Sequence, residues 1–309
     1  MKSRLLLFPA LLLLSGSGQP EHNFLLNPSI RHVRRIPMPP ARHKVAALIQ
    51  KYKTEGAVTG ISVYFQSLVT GYWFGLGEQD KFIPASLLKV YLLIRVMQEE
   101  DDSPGALKRS LTLLRDPAGK GSGSAALAYK RPEPGKQYTV DRLVEYMIRY
   151  SDNDAAYTLH QSFGNKKMGK IYRDFGFPAA PGEEDALSLK QYMMTFLTLY
   201  NSTYLGTDMS QKALEYLVGS DFKEGLAAGL PPGTRVASKF GLRAVGTPDN
   251  PLLQLHDCGI IYHHDTPYVL GVMTRGKDIK QQTAVIKELS ALLYEEVDYR
   301  SRESSSPAP

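Results

Sequence analysis

With one cysteine, Cys258, among 309 residues, the chain cannot close an internal disulfide, and it lacks the Cys/His spacing of a zinc finger. Its stability must therefore come from a buried core. After Leu14 no apolar run approaches the ~20 residues that a membrane-crossing helix requires. There is no internal repeat and no large excess of one charge. Lys and Arg number 37 against 31 Asp and Glu, a formal net charge of +6, and two of the positives, Lys2 and Arg4, lie in a leader-like segment. What remains, 43% hydrophobic and 22% charged, excludes a fibre or a disordered chain and leaves room for one large domain or two small ones.

Lys2 and Arg4 precede the apolar run Leu5 to Leu14, and Ser15, Gly16, Ser17 and Gly18 follow, the three-part layout of a secretory signal. Residues 1–18 are accordingly expected to be removed, leaving an exported protein, periplasmic or extracellular, with no stable membrane anchor. No cysteine stands near Gly18 to carry a lipid. Residues 19–41 combine Arg31, His32, Arg34 and Arg35 with Pro37, Pro39 and Pro40, which predicts an extended basic linker. Its charge reads as a solvated run, and export disfavours nucleic acid as a partner. The Ser- and Pro-rich tail, residues 298–309, is expected to be disordered.

Between these flanks, Val45, Leu48, Ile49 and Tyr52 recur at helical spacing. Ile61 to Gln66 and Gly71 to Gly75 read as strands turned at Thr70-Gly71, and Thr234 to Gly241, Leu252 to Tyr262 and Pro267 to Thr274 as three more before an amphipathic helix from Ile279 to Tyr294. The expected fold is α+β: a five-stranded antiparallel sheet built from both chain ends, flanked by the N- and C-terminal helices and carrying a large all-helical insert. In residue terms this is a domain over 42–297, with a sheet part at 42–80 and 230–297 and a helical part at 81–229. Helix starts are expected at Thr139 and at Ser188, whose capping box Gln191 would complete. The loop Gly119 to Ser124 lacks the full spacing of a phosphate-binding loop.

Three short motifs could carry chemistry. In Ser86-Leu87-Leu88-Lys89 the spacing of three puts hydroxyl and amine on one helical face, and the apolar neighbours of Lys89 would lower its pKa until the neutral amine can deprotonate Ser86. The helix N-terminus beneath the serine would offer N–H groups to a developing oxyanion. Ser151-Asp152-Asn153 falls in an interhelical loop, where a hydroxyl can relay a proton and an amide can hold a carbonyl. In Lys239-Phe240-Gly241, on a strand, lysine supplies positive charge and glycine allows close approach of a substrate backbone. Each alone has a bland reading: an N-cap serine with a snorkelling lysine, a capping turn, and a lone strand triplet.

Together and in this order, S-x-x-K, S-D-N and K-x-G resemble the signature set of the penicillin-recognising serine enzymes, the class A β-lactamases and penicillin-binding proteins. The stretches Thr70 to Phe74, Phe82 to Val90 and Gly135 to Leu159 extend the resemblance over roughly residues 42 to 297. It implies a β-lactamase/transpeptidase-like fold and an acyl-enzyme mechanism without metal or organic cofactor. Ser86 would attack a β-lactam or peptidoglycan-stem amide carbonyl, Lys89 would manage its proton, and Ser151 would pass a proton to the leaving nitrogen. Asn153 would hold the substrate amide and Lys239 would attract its carboxylate, with Gly241 giving room. The N–H groups of Ser86 and Leu242 would form the oxyanion hole.

Two departures stand out. Phe240 replaces the Thr or Ser usual between Lys and Gly, removing a hydroxyl expected to bind the carboxylate, a contact that the Arg243 fork could replace. No E-x-x-L-N motif, the source of the deacylating base in class A enzymes, is present, and Glu183, Glu184 or Asp185 could substitute. Three readings follow: a β-lactamase-like hydrolase acting as a monomer, a D,D-peptidase-like protein that acylates but deacylates slowly, or a silent envelope-binding homologue. His263-His264-Asp265 reads as a hairpin turn rather than a metal site. Cys258 reads as a small buried hydrophobe, Trp73 as core, and His160 as structural.

Overall fold

Pro39 and Pro40 do not extend the linker; they open helix α1 (Pro39–Thr54), because the first turn of a helix needs no N–H donor from them. The computed structural model describes residues 39–118, 129–164, 166–178, 185–247, 250–264 and 266–305, so the leader, most of the linker and the Gly119 to Ser124 loop lie outside the described residues. After α1 come strands β1 (Gly60–Ser67) and β2 (Trp73–Leu76), turned by Gly71 at a φ of +71° that favours glycine. The short β3 (Lys81–Phe82) and a 3-10 turn, Ala85–Leu88, deliver the chain into α2 (Lys89–Asp102).

The insert continues through β4 (Ser110–Thr112), β5 (Gln137–Thr139), α3 (Val140–Arg149), α4 (Asn153–Phe163), α5 (Lys166–Asp174), β6 (Leu187–Ser188), α6 (Leu189–Tyr200) and α7 (Thr207–Val218). The chain then returns with β7 (Arg235–Thr247), β8 (Asn250–Tyr262), β9 (Tyr268–Gly276) and α8 (Ile279–Ser305). Five strands form one antiparallel sheet in the order β2-β1-β9-β8-β7, so both chain ends supply it, as the sequence pattern predicts.

The sheet separates two cores because strand side chains alternate between faces. On β9, Tyr268, Leu270 and Val272 pack toward α1 and α8, while Val269 and Met273 pack toward the insert. Between these last two, Gly271 lets α6 sit on the sheet: a Cβ there would come within 2.5 Å of Met193 Sδ. Every residue from Lys89 to Met97 is buried, so α2 is the central helix of the insert. A Leu→Ala change in such a helix costs about 2–5 kcal/mol.

Thr139 and Ser188 cap α3 and α6, accepting from the N–H groups of Arg142 and Gln191. The capping box at Ser188 does not close, because Gln191 Nε2 instead donates to the carbonyls of Phe175 and Gly176. Helix α8 runs to Ser305, past the expected end at Tyr294 and into the tail expected to be disordered. Buried Val297 and Ser301 continue its inner face. Trp73 is not core: it lies on the edge strand, 43% exposed, stacked on Tyr64 with Lys190 Nζ over its ring. Cys258 is fully buried, as expected, and His160 is exposed on α4.

Candidate active site

Ser86 is half-buried in the 3-10 turn ahead of α2, not in the helix itself, and its hydroxyl makes no hydrogen bond among the described residues. Residues i and i+3 eclipse in a 3-10 turn, so Lys89 still follows Ser86 on the same side. The turn is strained: Ala85, just before Ser86, has φ +50°. It is clamped from β8, where Gln254 Oε1 accepts from Ile83 N–H at 3.0 Å and His256 Nε2 lies 3.0 Å from the Ile83 carbonyl. A carbonyl can only accept, so Nε2 carries the proton. Burial lowers the His256 pKa to about 4 and keeps the ring neutral.

The Ser151-Asp152-Asn153 loop joins α3 to α4. Asp152 caps α4 through Ala155 N–H at 2.7 Å and accepts the Tyr129 hydroxyl at 2.5 Å. These bonds hold Ser151 at φ +58°, a left-handed conformation that non-glycine residues adopt at roughly 1–3 kcal/mol. Ser151 is thereby presented to two lysines. Lys89 Nζ lies 2.5 Å from the Ser151 carbonyl, 3.2 Å from its Oγ and 2.6 Å from Asn153 Oδ1. Lys239 Nζ lies 3.0 Å from the same Oγ and 2.9 Å from the Phe240 carbonyl.

Burial lowers the Lys89 pKa to about 7, against the opposing pull of Asp152 and Asp116. Lys239 is pushed well below its ordinary value by burial first and by Lys89 second, with Asp257 opposing. Lys89 Nζ donates to the Ser151 carbonyl, the Ser151 Oγ and Asn153 Oδ1, and once one proton is lost its lone pair can accept the Ser151 hydroxyl, which accepts from Lys239.

Strand β7 is the sheet edge that meets this cluster. At Gly241 a Cβ would come 2.8 Å from the Pro84 carbonyl and 3.2 Å from Leu87 Cγ, so only glycine lets the strand lie against the residues that bracket Ser86. Leu242 and Arg243 follow, half-buried and paired with Leu255 and Gln254. Phe240 carries its ring over Lys239, 4.2 Å from Nζ to the centroid. Asp257, opposite Phe240 in the β7–β8 register, is fully buried, and burial raises its pKa to about 6 while it accepts Leu226 N–H.

Glu183 and Glu184 lie outside the described residues. Asp185 stands half-buried just before β6, whose Leu187 pairs with Phe82, four positions ahead of Ser86. His263, His264 and Asp298 gather with ligand atoms within 4.8 Å of one another, but His263 contacts Asp298 and Thr266 and Asp298 pairs with Arg302, a polar tie between hairpin and α8. Gln254, His256, Asp257, Tyr129 and Phe222 carry no motif of their own in the sequence. Only strand register and the capped loop reveal them.

The family model described as "Beta-lactamase enzyme family" matches residues 40–297. No curated protein sequence matches the chain. Among solved structures, that of PBP-A is similar with a TM-score of 0.71 at 18% identity, covering 86% of this chain and 99% of that one. A mutant of PBP-A, described as an acyl-enzyme complex with penicillin G, is similar with a TM-score of 0.70 at 19% identity, covering 86% and 99%. A class A β-lactamase from Mycobacterium abscessus is similar with a TM-score of 0.68 at 18% identity, covering 84% and 99%. At these identities the likeness carries the fold.

Proposed function

The chain belongs to the β-lactamase enzyme family, and from that premise we propose that it is an exported serine hydrolase that opens β-lactam or related cyclic amide bonds through an acyl-enzyme on Ser86. The observation that carries this reading is the convergence of Lys89 and Lys239 on the Ser151 hydroxyl beside the Ser86 turn. Ser86 Oγ bonds to the carbonyl carbon, the C–N bond breaks, and the hydroxyl proton passes by way of Lys89 and Ser151 to the leaving nitrogen. The Ser86 and Leu242 N–H groups receive the oxyanion, and Asn153 Nδ2 meets a substrate carbonyl. The chemistry in this reading uses no cofactor.

The signal-like leader supports export, and no helix among the described residues is long and apolar enough to cross a membrane. We take the catalytic domain as residues 42–297 and its working form as a monomer.

A second reading, acylation with slow deacylation as in a D,D-peptidase-like protein, is favoured by the absence of E-x-x-L-N. The first reading instead requires one of Asp185, tied by β6 to the strand leading to Ser86, Glu183 or Glu184 to substitute for the missing base. A silent envelope-binding role has no use for a buried lysine pair. Incubation with a chromogenic cephalosporin, following absorbance and intact mass with Ser86→Ala as control, separates the three. Continuous hydrolysis lost in Ser86→Ala supports a β-lactamase, a lasting adduct without turnover supports the second reading, and neither signal sinks both enzymatic readings.

A further inference from the structure

Lys239 is fully buried, and each direction from its Nζ is occupied: Ser151 Oγ at 3.0 Å, the Phe240 carbonyl at 2.9 Å, and the Phe240 ring with its centroid at 4.2 Å. The ring is fixed in turn by Phe222, stacked on it at 4.4 Å and 22°, with the two rings only 2% and 6% exposed. Gly225 makes room for this wall, since a Cβ there would come 2.7 Å from Phe222 Cε1 and 2.4 Å from Asp257 Oδ2. A hydroxyl between Lys239 and Gly241 is replaced by a locked aromatic pair. The nearest further cation on the strand, Arg243, already has an interaction of its own. An anion seated here would lose its water and gain neither an open N–H of Lys239 nor a hydroxyl.

We propose that the Phe222–Phe240 pair makes this site select acyl donors whose leaving-nitrogen side is uncharged, such as neutral lactams, esterified lactams or amidated stem peptides. The buried rings offer no hydrogen bond, so a carboxylate beside them would be left unpaired where an ester or an apolar group has none to lose. The acylation step is unchanged: the Ser86 Oγ–carbonyl bond forms, the C–N bond breaks, and the proton ends on nitrogen. This inference rests on the acyl-enzyme reading above.

The test measures the second-order rate of Ser86 adduct formation, by intact mass on the full chain, with benzylpenicillin and with its methyl ester. The expected result is an ester rate at least tenfold the acid rate, with Phe240→Thr shifting the ratio toward the acid. An acid rate equal to or above the ester rate overturns the inference and leaves the acyl-enzyme reading standing. If Arg243→Ala then lowers the acid rate, Arg243 is the anion anchor. No Ser86 adduct from either probe overturns both readings together. The comparison in the unsubstituted chain decides the matter even if Phe240→Thr fails to fold.

Discussion

Lys89 and Lys239 share one acceptor: their Nζ atoms stand 3.2 Å and 3.0 Å from the Ser151 hydroxyl, with no carboxylate among the described residues in direct contact with either. Two ammonium groups cannot both be comfortable so close in a buried site, and Lys89 lowers the proton affinity of Lys239 beyond the cost of burial. Burial lowers the Lys89 pKa to about 7, so its neutral amine is populated near neutral pH.

Acylation of Ser86 should therefore rise tenfold per pH unit below about 7 and level off above it, as the neutral Lys89 amine becomes fully populated. Removing the amine in Lys89→Met should cost about 10²–10⁴-fold in acylation rate. The same shift makes a stability prediction. Between pH 7 and the ordinary lysine value of 10.5 the unfolded chain binds more protons at this residue than the folded one, so stability rises with pH through that window. The penalty is present in full below pH 7. Urea titrations of the parent and Lys89→Met at pH 6 and pH 10 should show the variant's relative stability shrinking as pH rises. An acylation rate flat from pH 5 to 9 would rule out Lys89 as the base.

Ser151→Ala removes the hydroxyl between the lysines while leaving the Asp152 cap in place. Acylation by a chromogenic cephalosporin should fall about 10²-fold or more, because the leaving nitrogen loses its proton donor. The melting temperature should stay the same or fall modestly, since alanine keeps the Cβ that strains the left-handed backbone and the two buried amines lose a shared partner. Loss of folding together with activity would instead mark Ser151 as structural.

Much of this site was legible from local spacing, because S-x-x-K, S-D-N and K-x-G are each read within one turn or strand. The caps at Thr139 and Ser188 were legible for the same reason: the cap and its N–H partner lie three residues apart. What sequence could not give were contacts made by register. Gln254 and His256 reach Ile83 only because β8 lies beside β7, and Phe222 meets Phe240 only once α7 has ended against the sheet. Trp73 reads as core by type, yet β2 is the sheet edge and leaves it half out. Gln191 fits a capping box by spacing, but two carbonyls at the end of α5 compete for its amide and win.

Gly241→Ala tests the close approach of β7 to the nucleophile turn. The added methyl would meet the Pro84 carbonyl at 2.8 Å, a backbone atom that cannot swing away. Strand or turn must shift, at a cost of about 1–3 kcal/mol. Such a shift opens the space between Leu242 and Ser86, so acylation should drop well beyond what the lower melting temperature explains. An alanine variant with parental acylation kinetics would show that the strand edge plays no part in holding the carbonyl.

The clamp on Ile83 supplies the last prediction. Gln254 and His256 are positioning residues: they bond the main chain three residues ahead of Ser86 and hold the strained Ala85 turn. Gln254→Ala leaves the Ile83 N–H unpaired, and His256→Ala leaves its carbonyl unpaired, each costing about 1–3 kcal/mol. Misplacing the nucleophile by a fraction of an ångström should also slow acylation, about tenfold or more. His256→Asn, which keeps a side-chain N–H, should recover part of the rate, and none of these changes should move the acylation inflection near pH 7. His256 adds a separate pH signature. With its folded pKa at about 4, below the ordinary 6.5, the unfolded chain binds more protons between these values, so stability falls as pH drops through that window. That loss should be smaller in His256→Asn. If the alanine variants slow acylation only as much as they lower the folded fraction, the clamp serves folding alone.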